Sequence, residues 1–253
     1  MVKYKLKLPT EYSEELAEET GIHIGDGFMN IYPKYNNNTF SYSADAINDV
    51  AYSEFVKELI KKLYNIFPSH IHIRKNTVEM KYHRKSLILF KKRMGLPLGP
   101  KTDMQIPAWV LSDKKFTIAC IRGLFDTDGY LKFRKPFKGK YHSYPELRLT
   151  SKSKPLIQQV AKLLEKFQLN ASFNEEKESK ARPNKTWVLS LNGVKNVERY
   201  LKIIGLRNEK HLLKYRIWKK FGFCPANLNY EQKNLILDGK INLYDIKNGG
   251  AEI

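Results

Sequence analysis

Cysteine is nearly missing from this chain: Cys120 and Cys224 are the only two in 253 residues. They form no metal-ligand spacing and no disulfide framework, which argues against a stapled secreted scaffold and predicts a cytoplasmic setting, a prokaryotic cytosol or an organelle interior. Long hydrophobic runs are missing too. The basic N-terminus is followed by no apolar stretch, so neither a membrane span nor a secretion signal is expected. Acidic residues are scarce, with 26 Asp and Glu against 45 Lys and Arg, a net charge of +19. An excess that large points to a polyanionic partner, although a solvated surface or a ribosome-associated protein would share it. Aromatic residues are plentiful: 15 Tyr, 13 Phe and 3 Trp within a 42% hydrophobic composition give the chain a real core. The length fits one large domain or two of about 100–125 residues.

Two stretches repeat one pattern. Ala17, Gly21 and Gly25 are followed by Asp26 and Gly27, and Ala119, Gly123 and Thr127 by Asp128 and Gly129. Each predicts a helix with small residues at i, i+4 and i+8, then an acid, then a terminating glycine. Such a stripe lets two helix backbones approach more closely than the usual ~8–10 Å. An aspartate in the last turn faces the negative end of the helix dipole, an arrangement costing up to ~1 kcal/mol. Two such violations at equivalent places predict a cation beside both.

The repeat runs well past these motifs. Ser13 is expected to cap the first helix, with Glu14 and Glu15 in its first turn. Alternation predicts strands at 28–34, 39–45, 70–75 and 77–83, with helices at 52–66 (Phe55, Leu59, Leu63 and Ile66 on one stripe) and 85–94. The second half gives a helix at 114–127, strands 130–135 and 145–151, a helix 153–168, strands 171–176 and 186–192, and a helix 194–204. Each half is thus αββαββα, an α+β fold with an antiparallel four-stranded sheet covered by helices on one face. The inward set is Met29, Ile31, Phe40, Tyr42, Ile71, Ile73, Val78 and Met80, then Leu131, Phe133, Leu147, Leu149, Phe173, Trp187, Leu189 and Leu191.

The other face carries Asn30, Tyr32, Lys34, Ser41, Ser43, His70, His72, Arg74, Glu79 and Lys81 in the first half. In the second it carries Tyr130, Lys132, Arg134, Glu146, Arg148, Thr150, Ser172, Asn174, Ser190 and Asn192. These side chains suit base edges and phosphates, and a β-ribbon fits the major groove. Any solvated sheet face is polar; the +19 charge and the paired motifs turn the expectation toward nucleic acid. His70 and His72 share a strand face without further ligands, so zinc is not expected there. The linker 99–107 contains Pro100 and Pro107, which argue against a continuous helix. The expected units are 1–107 (arm 1–12), 108–222 and a tail 223–253 of unknown role, a strap over the surface or partly disordered. Residues 208–222 predict a basic amphipathic helix. Lys3, Lys5 and Lys7 alternate with Val2, Tyr4, Leu6 and Leu8, as an edge strand or a basic arm.

The segments Glu19-Thr20-Gly21-Ile22-His23-Ile24-Gly25-Asp26-Gly27 and Ile121-Arg122-Gly123-Leu124-Phe125-Asp126-Thr127-Asp128-Gly129 resemble the paired motifs of LAGLIDADG homing endonucleases of the monomeric, two-motif type. The second, preceded by Ser112-Asp113 as a helix start, is the closer match. The first departs at Glu19, Thr20 and Ile24. The resemblance spans about residues 13–222 and implies two pseudo-symmetric units packed through their motif helices into a DNA-binding saddle.

It also implies a chemistry. Asp26 and Asp128, with the preceding Gly25 and Thr127 as further metal contacts, would hold divalent ions beside two scissile phosphates. Mg²⁺ is expected, with Mn²⁺ or Ca²⁺ able to occupy the same sites, because it takes few carboxylates and keeps waters and phosphate oxygens. The family's basic residue near the end of each repeat maps to Lys101 and Lys210. Asp45 and Ser151 are candidates for orienting water, and Asp126 is expected to be a structural acid. The resemblance implies a monomer cutting double-stranded DNA at a long asymmetric site. Two alternatives stay open: a maturase binding intron RNA, and a catalytically inactive DNA-binding regulator. The chain ends carry neither the Cys or Ser nor the His-Asn of an intein, so a free-standing protein is expected.

Overall fold

A computed structural model describes residues 5–35, 37–176 and 185–246. The first half runs α1 (Glu14–Asp26), β1 (Gly27–Tyr32), β2 (Asn37–Asp45), α2 (Val50–Tyr64), β3 (His70–Arg74), β4 (Thr77–Tyr82) and α3 (Lys85–Arg93). After a short α4 (Ala108–Leu111), the second repeats it: α5 (Lys114–Thr127), β5 (Gly129–Arg134), β6 (Tyr144–Ser151), α6 (Lys154–Lys166), β7 (Ala171–Glu176), β8 (Thr186–Asn192) and α7 (Val194–Ile203). The chain then adds α8 (Glu209–Phe221) and α9 (Tyr230–Leu237). Each half forms one antiparallel sheet, of order β1-β2-β4-β3 and β5-β6-β8-β7. The α+β architecture of two pseudo-symmetric αββαββα units is therefore present.

Local chemistry sets the helix starts. Ser13 Oγ accepts from Leu16 N at 3.1 Å, Asp113 from Lys115 N at 2.6 Å and Ser153 from Leu156 N at 3.2 Å. Each satisfies an N–H that the first helical turn leaves without a partner. The linker avoids helix until α4 and is pinned rather than loose. Trp109 Nε1 donates to Met94 O, and Gln159 accepts from Ile106 N.

Three expectations about packing need correction. Ile71 and Ile73 on β3 are exposed, Ile73 at 71%, as is Phe173 on β7. Both strands are sheet edges, and in the first half the helices lie chiefly over β1 and β2. Alternation shows which face a residue is on but not how far the helical cover extends. The buried face of α2 is Tyr52, Val56, Leu59, Ile60 and Tyr64, so the stripe through Phe55 and Leu63 is rotated to the rim. Finally, the described part of the tail is no surface strap: α9 packs on α8, and Phe223, Cys224, Leu228, Ile236 and Leu243 are buried. The rest of the tail, 247–253, lies outside the described residues.

The same holds for Val2, Lys3 and Tyr4 of the arm. Its described part forms no strand; Lys7 N donates to Tyr64 O, and Asn65 Nδ2 to Lys5 O, tying it to the end of α2.

Candidate functional site

The motif helices α1 and α5 form the interface between halves. A Cβ on Gly21 would fall on the carbonyl oxygen of Cys120, and one on Gly123 on that of Glu18. One on Gly25 would strike the Thr127 hydroxyl, whose oxygen back-bonds to Gly123 O at 2.9 Å and Leu124 O at 3.0 Å. Backbone meets backbone at Gly21 and Gly123, as the small-residue spacing predicts. Gly27 and Gly129 follow a different logic. Neither adopts a positive φ; Gly27 is extended, at φ −82°. A Cβ on Gly27 would instead strike the His23 ring, and one on Gly129 the Phe125 backbone, so these positions need space rather than a left-handed turn.

Of the two polar departures in the first motif, the buried Thr20 hydroxyl has no hydrogen-bond partner among the described residues, whereas Glu19 has several. Glu19 is fully buried and accepts hydrogen bonds from the hydroxyls of Tyr42 and Tyr64 and the ammonium of Lys91, itself fully buried on α3. Glu18 bonds Arg122 through Nε and Nη2 at 3.0 Å each and accepts from Arg207 Nε at 2.6 Å, joining the halves beside the glycine stripe.

The helix crossing brings the terminal acids together. Asp26 ends α1 and Asp128 caps α5, with the Asp128 carboxyl carbon 3.5 Å from where a Gly25 Cβ would stand. Burial, reinforced by the charge of Asp128, pushes Asp26 up to about 7. Burial pushes Asp128 up to about 6, against the pull of Lys101 and Lys210. The pair therefore resists full ionisation unless positive charge is supplied.

Both predicted lysines reach this neighbourhood by different routes. Lys101 Nζ donates to His23 O, Gly25 O and Gly27 O at 2.9, 2.6 and 2.7 Å. It thereby sits on the negative end of α1, and burial lowers its pKa to about 8. The carbonyl of Gly25, expected as a further metal contact, thus accepts a hydrogen bond from Lys101. Lys210 Nζ pairs with Asp49, at 3.0 Å from Oδ1 and 3.1 Å from Oδ2. Asp49 also accepts from Asn208 Nδ2 at 2.7 Å. Asp126 is wholly buried and accepts from Arg207 N and Asn208 N at 3.0 Å, so it fixes the loop that carries Lys210.

Asp45 Oδ1 takes the amides of Ile47 and Asn48, and Ser151 Oγ that of Ser153; both cap turns. Asp49 and Asn208 had no sequence signal beyond preceding a helix. An Asp before α2 would ordinarily be read as its cap, yet it makes no capping bond.

The outer sheet faces hold most of the predicted contact residues. His70, His72, Arg74 and Lys34 are exposed, and Asn30, Ser43, Lys81, Tyr130, Lys132 and Thr150 half-buried. Tyr32, Arg134 and Asn174 are exposed and Arg148 half-buried. Ser41 and Ser190 are corrections: both are buried. Each is a short side chain on an inner strand, bracketed in register by Phe28 and Lys81 or by Arg148 and Ser172. Glu146, also buried, gathers the basic residues around it, with Arg134 Nε at 2.7 Å, Lys132 Nζ at 3.5 Å and Arg148 Nε in contact. Among the described residues no cluster of three or more His, Cys, Asp or Glu is placed to hold a metal.

Residues 115–205 match the family model of the LAGLIDADG-like domain. No curated protein sequence matches the chain. Its fold is similar to that of the homing endonuclease I-DmoI in complex with DNA and Ca, at TM-score 0.54 and 18% identity, covering 80% of this chain and 97% of that one. The LAGLIDADG homing endonuclease I-GzeII in complex with its DNA target aligns at TM-score 0.53 and 12% identity, over 91% and 92% of the two chains. The N-terminal LAGLIDADG domain of DUF199/WhiA aligns at 0.52 and 16%, over 79% and 86%. At these identities the likeness is one of fold.

Proposed function

We propose that the protein is a site-specific, metal-dependent endonuclease that cuts both strands of duplex DNA, because residues 115–205 match the LAGLIDADG-like domain model and the first half repeats the sheet order of the second. The observation that carries this reading is the Asp26–Asp128 pair. Two carboxylates are set side by side at the ends of the close-packed helices, each pushed toward neutrality. A group of this kind costs free energy in the metal-free protein and is retained where a cation uses it.

The donor set fits Mg²⁺, or Mn²⁺ or Ca²⁺ in its place, since such ions accept one or two carboxylates and leave other positions to water and phosphate. Asp26 and Asp128 would hold the ion, which would supply charge neutralisation at the phosphate and a more acidic water. Lys101, already fixed on three carbonyls, would keep the α1 end rigid and add positive charge near the scissile phosphate. Lys210, oriented by Asp49, would do so on the other side. The basic outer faces would read the duplex, with Arg134 and Arg148 as candidates for guanine contacts. Both half-sites lie in one polypeptide, which favours a monomer.

Cleavage-site selection on a random duplex library with Mg²⁺ tests the reading. One recovered sequence cut on both strands by wild type, and by neither Asp26→Asn nor Asp128→Asn at near-normal affinity, is the expected result. Full cutting by Asp128→Asn would remove the assignment. Tight binding of a structured intron RNA without any preferred duplex would replace it with the maturase reading.

A further inference from the structure

The helices α8 and α9 have no counterpart after α3 in the first half. They close a pocket of about 200 Å³ lined by Asp45, Asn48, Asp49, Lys210, Lys214, Leu228 and Lys233. Its formal charge is positive, three lysines against two aspartates, and the aspartates are engaged. Asp45 holds turn amides, and Asp49 holds Asn208 and Lys210. Lys214 Nζ donates to Leu131 O at 3.2 Å.

Lys233 is different. Its residue surface is 1% exposed, yet among the described residues its ammonium forms no hydrogen bond or ion pair, Asp49 and Cys224 acting on it only through their charge. A charge whose access to water is confined to a small pocket and which lacks a close anion is costly, and such groups are ordinarily paired. Burial and the neighbouring Lys214 and Lys210 lower its pKa to about 8, against the opposing pull of Cys224 and Asp49. The pocket is tied to the carboxylate pair, because Lys210 and Asp49 both act on the charge of Asp26.

We propose that this pocket binds one phosphate of the DNA backbone on one flank of the Asp26–Asp128 pair, with Lys233 and Lys214 as its donors. A phosphate oxygen would complete the ammonium of Lys233, and a contact of this kind fixes register without reading sequence. The other flank, with Lys101, Thr102, Ser151 and Lys152, is lined by no residue of α8 or α9. The C-terminal extension would thus anchor the duplex on one side only. The inference rests on the DNA-binding part of the proposed function and not on cutting.

The test compares full-length wild type with Lys233→Met, and with Lys162→Met on the exposed face of α6 as control. On a random-sequence duplex, the slope of log K against log salt should shrink by about 0.9 in Lys233→Met, the value of one phosphate contact. The Lys162→Met slope should stay at the wild-type value. In phosphate-free buffer Lys233→Met should melt at or above the wild-type temperature, since a largely buried charge without a hydrogen-bonded anion has been removed. Inorganic phosphate should raise the wild-type Tm above that in chloride of equal ionic strength, and leave Lys233→Met unmoved.

An unchanged slope overturns the proposal. So does a lower Tm for Lys233→Met without phosphate, which would make Lys233 a structural residue. Stabilisation by inorganic phosphate with no change of slope would assign the pocket to a free anion instead. A reduced slope in a protein that cuts nothing would keep this inference while removing the nuclease reading.

Discussion

The carboxylates of Asp26 and Asp128 tie stability to pH in a definite direction. Both have folded-state pKa values above their ordinary 3.8, about 7 and 6. The folded protein therefore holds these protons more tightly than the unfolded chain. Their contribution is fully present below pH 4 and is lost as pH rises through 6 and 7. Asp26→Asn escapes that loss. Without metal, its Tm should equal that of wild type near pH 4 and exceed it by several degrees at pH 8, at about 2–4 °C per kcal/mol for a chain of this size. Added Mg²⁺ should narrow the gap by stabilising wild type selectively. Differential scanning calorimetry across pH checks this, and a Tm difference that ignores pH would show that the pair is not strained. The same residue-scale logic separates Asp126 from the pair. It is raised to about 7 by burial, yet it already accepts two backbone amides, so its value lies in holding the Lys210 loop.

Between elements, the α1–α5 crossing and the Glu19 network make separable demands. Gly123 faces the Glu18 carbonyl and lies 3.0 Å, by its missing Cβ, from Ile22 N. Backbone on both sides cannot yield as a side chain would, so Gly123→Leu should cost at least the ~1–3 kcal/mol typical of overpacking. An unchanged melting temperature would mean the helices do not meet there. The network joining α1, α2, β2 and α3 behaves differently. Lys91→Met leaves Glu19 buried with two tyrosine hydroxyls and no cation, for which ~3–5 kcal/mol is the usual cost. The double variant Glu19→Met, Lys91→Met removes both charges and should recover much of that loss. Urea denaturation of the single and double variants measures the difference, and equal losses would show that the ion pair is not the cause.

Across the whole molecule, the +19 charge is arranged rather than spread. Glu146 draws Lys132, Arg134 and Arg148 toward one point of the second sheet's outer face, and the three hold its carboxyl below the usual range despite burial. With the outer face on DNA as proposed, Glu146→Gln should release these cations to phosphate. Affinity for random duplex should rise, with a steeper salt dependence of up to about 0.9 in slope per cation freed. Discrimination among selected sites should fall, because side chains that lose a fixed orientation contact the backbone instead of base edges. Binding titrations at several salt concentrations decide it; an unchanged slope would mean that Glu146 does not restrain them.

Much of this was legible in the residues themselves. Period-two and period-3.6 alternation is local, and the spacing of Ala17, Gly21 and Gly25 and of Ala119, Gly123 and Thr127 depends only on helix geometry. The order of elements, the two-unit architecture and the α1–α5 contact followed from these. Other features depended on distances between residues far apart in the chain. Whether Ile71 and Ile73 find cover, which acid Lys91 meets 72 positions away, and that Asp49 meets Lys210 across 161 are decided when separate elements dock. A sequence gives each side chain a face, but burial and charge pairing belong to the space between faces. For that reason the paired aspartates could be named from their motifs, whereas the pocket around Lys233 exists only because a tail with no repeat to predict it folds back beside them.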